Sequence, residues 1–382
     1  MKLTFVKKIR TLLVLGMVVL GLSAGSLYAQ DANLCPFSDD EVVLYSSPST
    51  LAKLPAIQKV WGCDEAQSAL TAVFEKTDRA FAEAVENDES QKERCDYFAS
   101  FIRDAAQKES FSESAFVCYF TYVDGVVLAL DIPEEVKEPV DIANGLSLTY
   151  ILNENPSPLD VKKLFKEGEE LEIVKQNDKE LVGKLLVKES GELKATIYFG
   201  GTKIKDMDKY VVVFASKEGV EKKLARFQET NAFVAERLDG TLFVDYTVSA
   251  GLFEKVAAEI EKQGDDDPNT KTACDLLKKT KSYTFQAKGI EDGVCLSSKL
   301  ETADSETAQT LTDLANGGLA FIKLKAKNTT DLPKEALLGL EFIEQIEITY
   351  EENATEIMAS LPVNIELMTK VAKLAWTAMT ER

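Results

Sequence analysis

The sequence predicts an α+β fold, with mainly antiparallel sheets and helices packed on them, and three observations carry that expectation. Asp124-Gly125 and Asp292-Gly293 interrupt apolar runs, and Asp-Gly between such runs is a hairpin signal. Four strand-like runs, about 170–176, 180–188, 192–199 and 209–215, follow one another as a β-meander. Helical and strand patterns alternate along the chain, and 45% apolar residues is enough for real cores.

The elements can be taken in order. Val42–Tyr45 reads as a short strand, and Ser49 is placed to cap a helix over about 50–60. Helical stretches follow at about 64–87, with Leu70, Val73, Phe74, Phe81, Ala84 and Val85 on one face, and at about 91–107. Ala115–Tyr122 and Val126–Asp131 flank Val123-Asp124-Gly125 as a hairpin. Leu146–Leu152 is a strand. Ser157-Pro158-Leu159-Asp160 opens a helix with a cap, a proline at the first helical position and an acid after it. The meander comes next, then an amphipathic helix over Glu218–Thr230 on Val220, Leu224 and Phe227.

The pattern then restarts. Leu242-Phe243-Val244, Ser249 and Leu252 echo Val42-Val43-Leu44, Ser49 and Leu51: a short strand, a serine cap and a helix. A helix to Gln263, an acidic loop, a Cys-bearing helix, a hairpin (281–288 and 293–299) and a helix over about 304–316 follow. A last hairpin (344–350 and 356–361) leads into a C-terminal helix that is expected to bury Ile365, Met368, Val371 and Leu374. The layout predicts a diverged internal duplication, with halves at 30–235 and 236–382.

Residues 1–29 read as a cleavable signal peptide. Lys2, Lys7, Lys8 and Arg10 precede the apolar run Leu12–Leu22, and small residues lead to Ala29. The run is about half of the roughly 20 residues that span a bilayer. No later segment is long and apolar enough to be a transmembrane helix. The expected product is exported, to the periplasm or beyond.

Charge and composition exclude several functions. The full chain carries −20, and loss of the four basic residues in 1–29 takes it to −24. Such a chain repels phosphate backbones, so nucleic acid is excluded as a partner. There is no histidine. Ser-His-Asp and Cys-His nucleophile activation and His-ligated metals are therefore excluded.

Six cysteines remain: Cys35, Cys63, Cys95, Cys118, Cys274 and Cys295. An even count in an exported chain points to disulfides. Sequential pairing, 35–63, 95–118 and 274–295, is the expectation, at roughly 3 kcal/mol per closed loop. No Cys-x-x-Cys spacing exists, so a metal site is not expected.

Other motifs resolve toward structure. Gly21-Leu22-Ser23-Ala24-Gly25 has nucleophile-elbow spacing but lies in the signal peptide. Asp265, Asp267 and Asn269 alternate like calcium ligands, but Thr270 and Leu276 stand where that loop needs Gly and Glu. Glu169-Glu170 and Glu351-Glu352 are adjacent acids whose side chains, on strands, point to opposite faces. Gly200-Gly201 and Gly317-Gly318 read as turns or helix stops. Asn328-Thr329-Thr330 and Asn353-Ala354-Thr355 are formal sequons, expected to be unmodified behind a bacterial-style signal.

The stretches Val42–Leu51, Ile290–Val294 and Asp304–Ala308 resemble a loose class of secreted bacterial α+β proteins of unknown function. The resemblance covers about a third of the chain; it implies an α+β fold and carries over no functional residue.

The functional expectation is an exported, non-catalytic binding or envelope-associated protein. It has no catalytic residues, no cofactor and a protein or envelope partner. The alternatives are a glycosidase-like hydrolase using two carboxylates and a calcium-stabilised secreted protein.

Overall fold

The computed structural model describes residues 35–61, 123–132, 145–153, 171–176, 180–189, 192–238, 240–262, 268–327 and 334–380, with further helical residues at 75–76, 79–86, 92 and 96. In chain order the elements are β1 (Val42–Ser46), α1 (Pro48–Lys53), α2 (Pro55–Trp61), β2 (Val123–Leu130), β3 (Leu146–Leu152), β4 (Leu171–Gln176), β5 (Glu180–Glu189), β6 (Glu192–Lys203), β7 (Tyr210–Ala215), α3 (Lys217–Glu229), α4 (Ala232–Leu238), β8 (Leu242–Ser249), α5 (Ala250–Lys262), α6 (Pro268–Lys278), β9 (Thr280–Ile290), β10 (Gly293–Thr302), α7 (Ser305–Lys327), α8 (Lys334–Gln345), β11 (Glu347–Tyr350), β12 (Glu356–Asn364) and α9 (Ile365–Thr380). The class is α+β, and the strand pairs with an assigned register are antiparallel.

The chain divides into two compact units that are interleaved in sequence. Among the described residues, one unit holds Asp40–Leu44 and Val244–Asn364. The other holds residues 35–39, the described parts of Tyr45–Phe243, and 365–380. The strand order in the larger unit runs β2-β3-β7-β6-β5-β4, and in the smaller β8-β9-β10-β12-β11; of β1, Val42–Leu44 falls in the smaller unit and Tyr45–Ser46 in the larger. One plan recurs in both: two antiparallel strands, then a later strand laid against the second of these. In the larger unit β6, β5 and β4 extend it, and in the smaller β11 does.

In the larger unit, Val127, Thr149, Val213 and Gly200 are register partners and form one row across the sheet. Val127, Thr149 and Val213 are fully buried. Helix α3, capped by Ser216, packs Val220, Leu224 and Phe227 into the core. At Gly200 a Cβ would stand 2.6 Å from Leu224 Cδ1 and 2.7 Å from Val220 Cγ1. Gly200-Gly201 is therefore strand interior rather than a turn, kept side-chain-free where a helix crosses closely.

Other boundaries shift for local reasons. The helix expected over 50–60 is two helices, because Pro55 starts a new one after Leu54 adopts extended backbone. Its cap is Ser47, whose Oγ accepts the Thr50 N–H at 3.2 Å, and not Ser49. Asp124-Gly125 is not a hairpin turn. It lies within β2, where the register against β3 slips between Val123 and Gly125 as a bulge. Ala115–Tyr122, all of the helix at 91–107 but residues 92 and 96, the helix from 157 onward, Glu169-Glu170, the calcium-like Asp265 and Asp267, and Asn328 lie outside the described residues. So does most of the helix expected at 64–87.

In the smaller unit, β9 and β10 form a tight hairpin through 291–292. Gly293 has φ 152°, and a Cβ there would sit 2.0 Å from the Val363 carbonyl oxygen, so only glycine fits. Helix α7 runs straight through Gly317-Gly318 to Lys327, so these glycines do not stop it. Helix α8 was not foreseen. In the larger unit, α9 packs against α2 and buries Leu367, while Ile365, Met368 and Val371 are half-buried.

Two of the three expected disulfides are absent from the structure, and the third, 95–118, lies outside the described residues. Cys35, Cys274 and Cys295 are free thiols, so neither 35–63 nor 274–295 is formed. Cys274 is buried on α6 with its Sγ 3.8 Å from the Ala257 carbonyl, and Cys295 Sγ lies 3.8 Å from its neighbour's carbonyl, Leu296 O. Cys63, Cys95 and Cys118 lie outside the described residues.

Candidate functional site

Two features of the described residues have the makings of a site: a buried polar cluster and an exposed apolar helix face. The cluster forms where the β2 bulge meets the start of α1. Bulging turns Asp124 inward, where it is 7% exposed. Asn153, at the end of β3, donates its amide to Asp124 Oδ1 at 3.0 Å. The Lys209 ammonium, at the start of β7, donates to Asp124 Oδ2 and to Asn153 Oδ1. Ser49 Oγ donates to Asp124 Oδ1 at 3.4 Å, and Ser47 Oγ donates to the Asp124 carbonyl at 2.6 Å.

Serine, lysine and aspartate together raise the question of nucleophilic catalysis. The geometry answers it. A serine nucleophile needs a base on its hydroxyl. Here the hydroxyl proton of Ser47 goes to a backbone carbonyl and the ammonium of Lys209 goes to a carboxylate. The cluster satisfies its own polar groups and holds the bulge and the α1 cap together. Sequence reasoning missed it because its members are scattered from residue 47 to 209. The one local signal, Asp124-Gly125, has the composition of a turn.

The second feature is the outer face of α7. Asp304 caps this helix: its Oδ1 accepts the Thr307 N–H at 2.8 Å, and that bond, with Lys279 nearby at 3.3 Å, holds its carboxyl below the ordinary range. The inner face buries Ala308, Thr312 and Ala315 at i, i+4, i+7 spacing. On the opposite side Leu314 is 55% exposed, Phe321 64% and Leu324 60%. Gly317 and Gly318 lie between them, and a Cβ at either would meet nothing within 4 Å. From Thr307 to Ile322 the only charged residue is Asp313. A helix apolar on both faces is normally covered on both, and this one is bare on one.

The remaining candidates do not converge. Glu351 and Glu352 are exposed in the turn between β11 and β12. A depression of about 580 Å3 is lined by Thr202, Lys203, Lys205, Asp206 and Gln228, among others. Its cations are already engaged, Lys203 with Asp208 and Lys205 with the Glu229 carbonyl at the end of α3. Among the described residues no group of three or more metal-ligating side chains is assembled, and no helix is long and apolar enough to cross a membrane.

The fold and these features define an acidic α+β protein with two units of recurring strand order and one exposed apolar helix face. No family model and no curated protein matches the chain. Solved structures similar to it include three crystal forms of the treponemal protein TP0453. Form III is 10% identical with a TM-score of 0.33, covering 88% of this chain and 94% of that one. Form I is 9% identical with a TM-score of 0.31, covering 88% and 93%. Form IV is 10% identical with a TM-score of 0.31, covering 87% and 93%. Likeness at that level carries neither fold nor function across.

Proposed function

We propose that the protein is an exported, non-catalytic binding module whose partner seats on the outer face of α7. The observation that carries this reading is the exposed run Leu314, Phe321 and Leu324 on a helix whose opposite face is already buried. Covering a large apolar side chain releases roughly 1.5–3 kcal/mol, so three on one face give a partner a real gain. Exposed apolar patches of this kind mark interaction surfaces. The self-satisfied Ser47–Asp124–Lys209 cluster supports the non-catalytic half of the reading, and the basic start, apolar run and small residues of 1–29 support export.

The test is a photo-crosslinking amino acid placed at Leu314, Phe321 or Leu324 of the full chain in its native cells, with Glu221 on α3 as control. Discrete adducts at the α7 positions and none at the control are expected. Equal or absent adducts at both would refute the reading.

A further inference from the structure

We infer that the occupant of the α7 outer face is a basic amphipathic helix of another protein, an inference that rests on the binding reading above. Two properties of the face select this chemistry. The first is its shape. Leu314, Phe321 and Leu324 recur at i, i+7 and i+10, the spacing of a helix-packing seam. Gly317 and Gly318 open a gap between the first two, with empty space where side chains would stand. A rod with apolar residues one or two turns apart fits such a seam, with its own side chains entering over the glycines.

The second is charge. Glu306 and Asp313 are both exposed and lie seven residues apart. At 100° per residue they continue the same stripe toward the N-terminus, along the line through Gly317 and Leu324. The face thus carries acids in its first three turns and apolar residues from Leu314 to Leu324, with Lys325 following on the same stripe, on a chain of net charge −20. An acidic partner or an anionic bilayer meets repulsion at Glu306 and Asp313. A helix with Lys or Arg one heptad apart, followed by Leu or Phe at the same spacing, is complementary to the stripe from Glu306 to Leu324.

The probe is a synthetic peptide of about five turns, with Leu on one face and Lys flanking it, titrated into the full chain. A Leu→Ser version of equal charge serves as control, and neutral and anionic phospholipid vesicles are run beside it. Saturable one-to-one binding is expected, weakened by raised salt as exposed charge pairs are. Phe321→Asp should weaken it about tenfold, equivalent to removing one well-buried contact. Glu306→Lys with Asp313→Lys should weaken it at low salt but not at high salt. Gly317→Ala should weaken it without lowering the melting temperature, so that lost binding is separated from lost folding.

Binding no tighter than the Leu→Ser control, or unmoved by Phe321→Asp, overturns the inference. Vesicle binding that Phe321→Asp abolishes, with no peptide binding, also overturns it and makes the face a lipid surface. That outcome leaves the crosslinking reading of α7 intact, so the two failures are distinguishable.

Discussion

Lys209 and Asp124 are 85 residues apart in sequence and form an ion pair at the β2 bulge, with the lysine side chain 26% and the aspartate side chain 10% exposed. Asn153 touches both. The pair therefore joins the starts of β2 and β7 to the end of β3, across strands whose ladder is irregular at that point.

Removing one partner strands the other. Lys209→Met leaves the Asp124 carboxylate buried with only hydroxyl and amide donors. We expect a loss of about 1–3 kcal/mol, read from urea unfolding. Asp124→Asn with Lys209→Met should cost less than the sum of the single changes, because the two share one interaction.

Gly200 and Gly317 should respond to alanine in opposite directions. At Gly200 the new methyl meets Leu224 and Val220, and overpacking should cost about 1–3 kcal/mol. At Gly317 the methyl enters open space inside a helix, and relief of glycine's helix penalty should stabilise by about 0.5–1 kcal/mol. Thermal melts of the two variants check both signs.

Acid sensitivity should follow Asp39 and Asp304. Lys222 and Arg226 hold the Asp39 carboxyl low, and the Thr307 N–H holds Asp304 low. A carboxyl depressed in the fold contributes stability above its unfolded pKa of about 3.9 and loses it as pH falls through the depressed value. Asp39→Asn and Asp304→Asn should each flatten the acid limb of a stability–pH profile below about pH 4 and leave the neutral-to-alkaline part unchanged in slope.

Thiol chemistry should rank by burial. Burial pushes the Cys35 and Cys274 thiols up from their ordinary value, against the cations Arg237, Arg226 and Lys223 around Cys35. In the native protein, peptide-mapped alkylation should leave Cys274 unmodified, label Cys35 slowly and label both fully in denaturant. A Cys274–Cys295 linked peptide in the non-reduced digest would contradict the structure.

The sequence carried the local part of this fold well. The meander, the hairpin at 291–293, the α3 face on Val220, Leu224 and Phe227, and the strand and helix that follow Leu242 are all periodicity or turn chemistry, readable within a dozen residues. The failures share a cause. Gly200-Gly201, Gly317-Gly318 and Asp124-Gly125 are turn signals by composition, yet one pair lies under a crossing helix, one in a helix interior and one in a bulge. What decides among these is the neighbour packed against them, which lies far away in sequence. The candidate surface was hidden for a related reason. The apolar stripe of α7 looks like any core-facing stripe until the opposite face is seen to be buried by alanines.

The interleaving of the two units governs how the chain can be synthesised and cut. Helix α9, the last element described, belongs with residues 45–243, while Asp40–Leu44 belongs with the segment that begins at Val244. During synthesis neither unit can close on one continuous stretch of chain. The first waits for a strand more than two hundred residues downstream, and the larger waits for the final helix. A chain cut after Asn364 would leave the larger unit without α9.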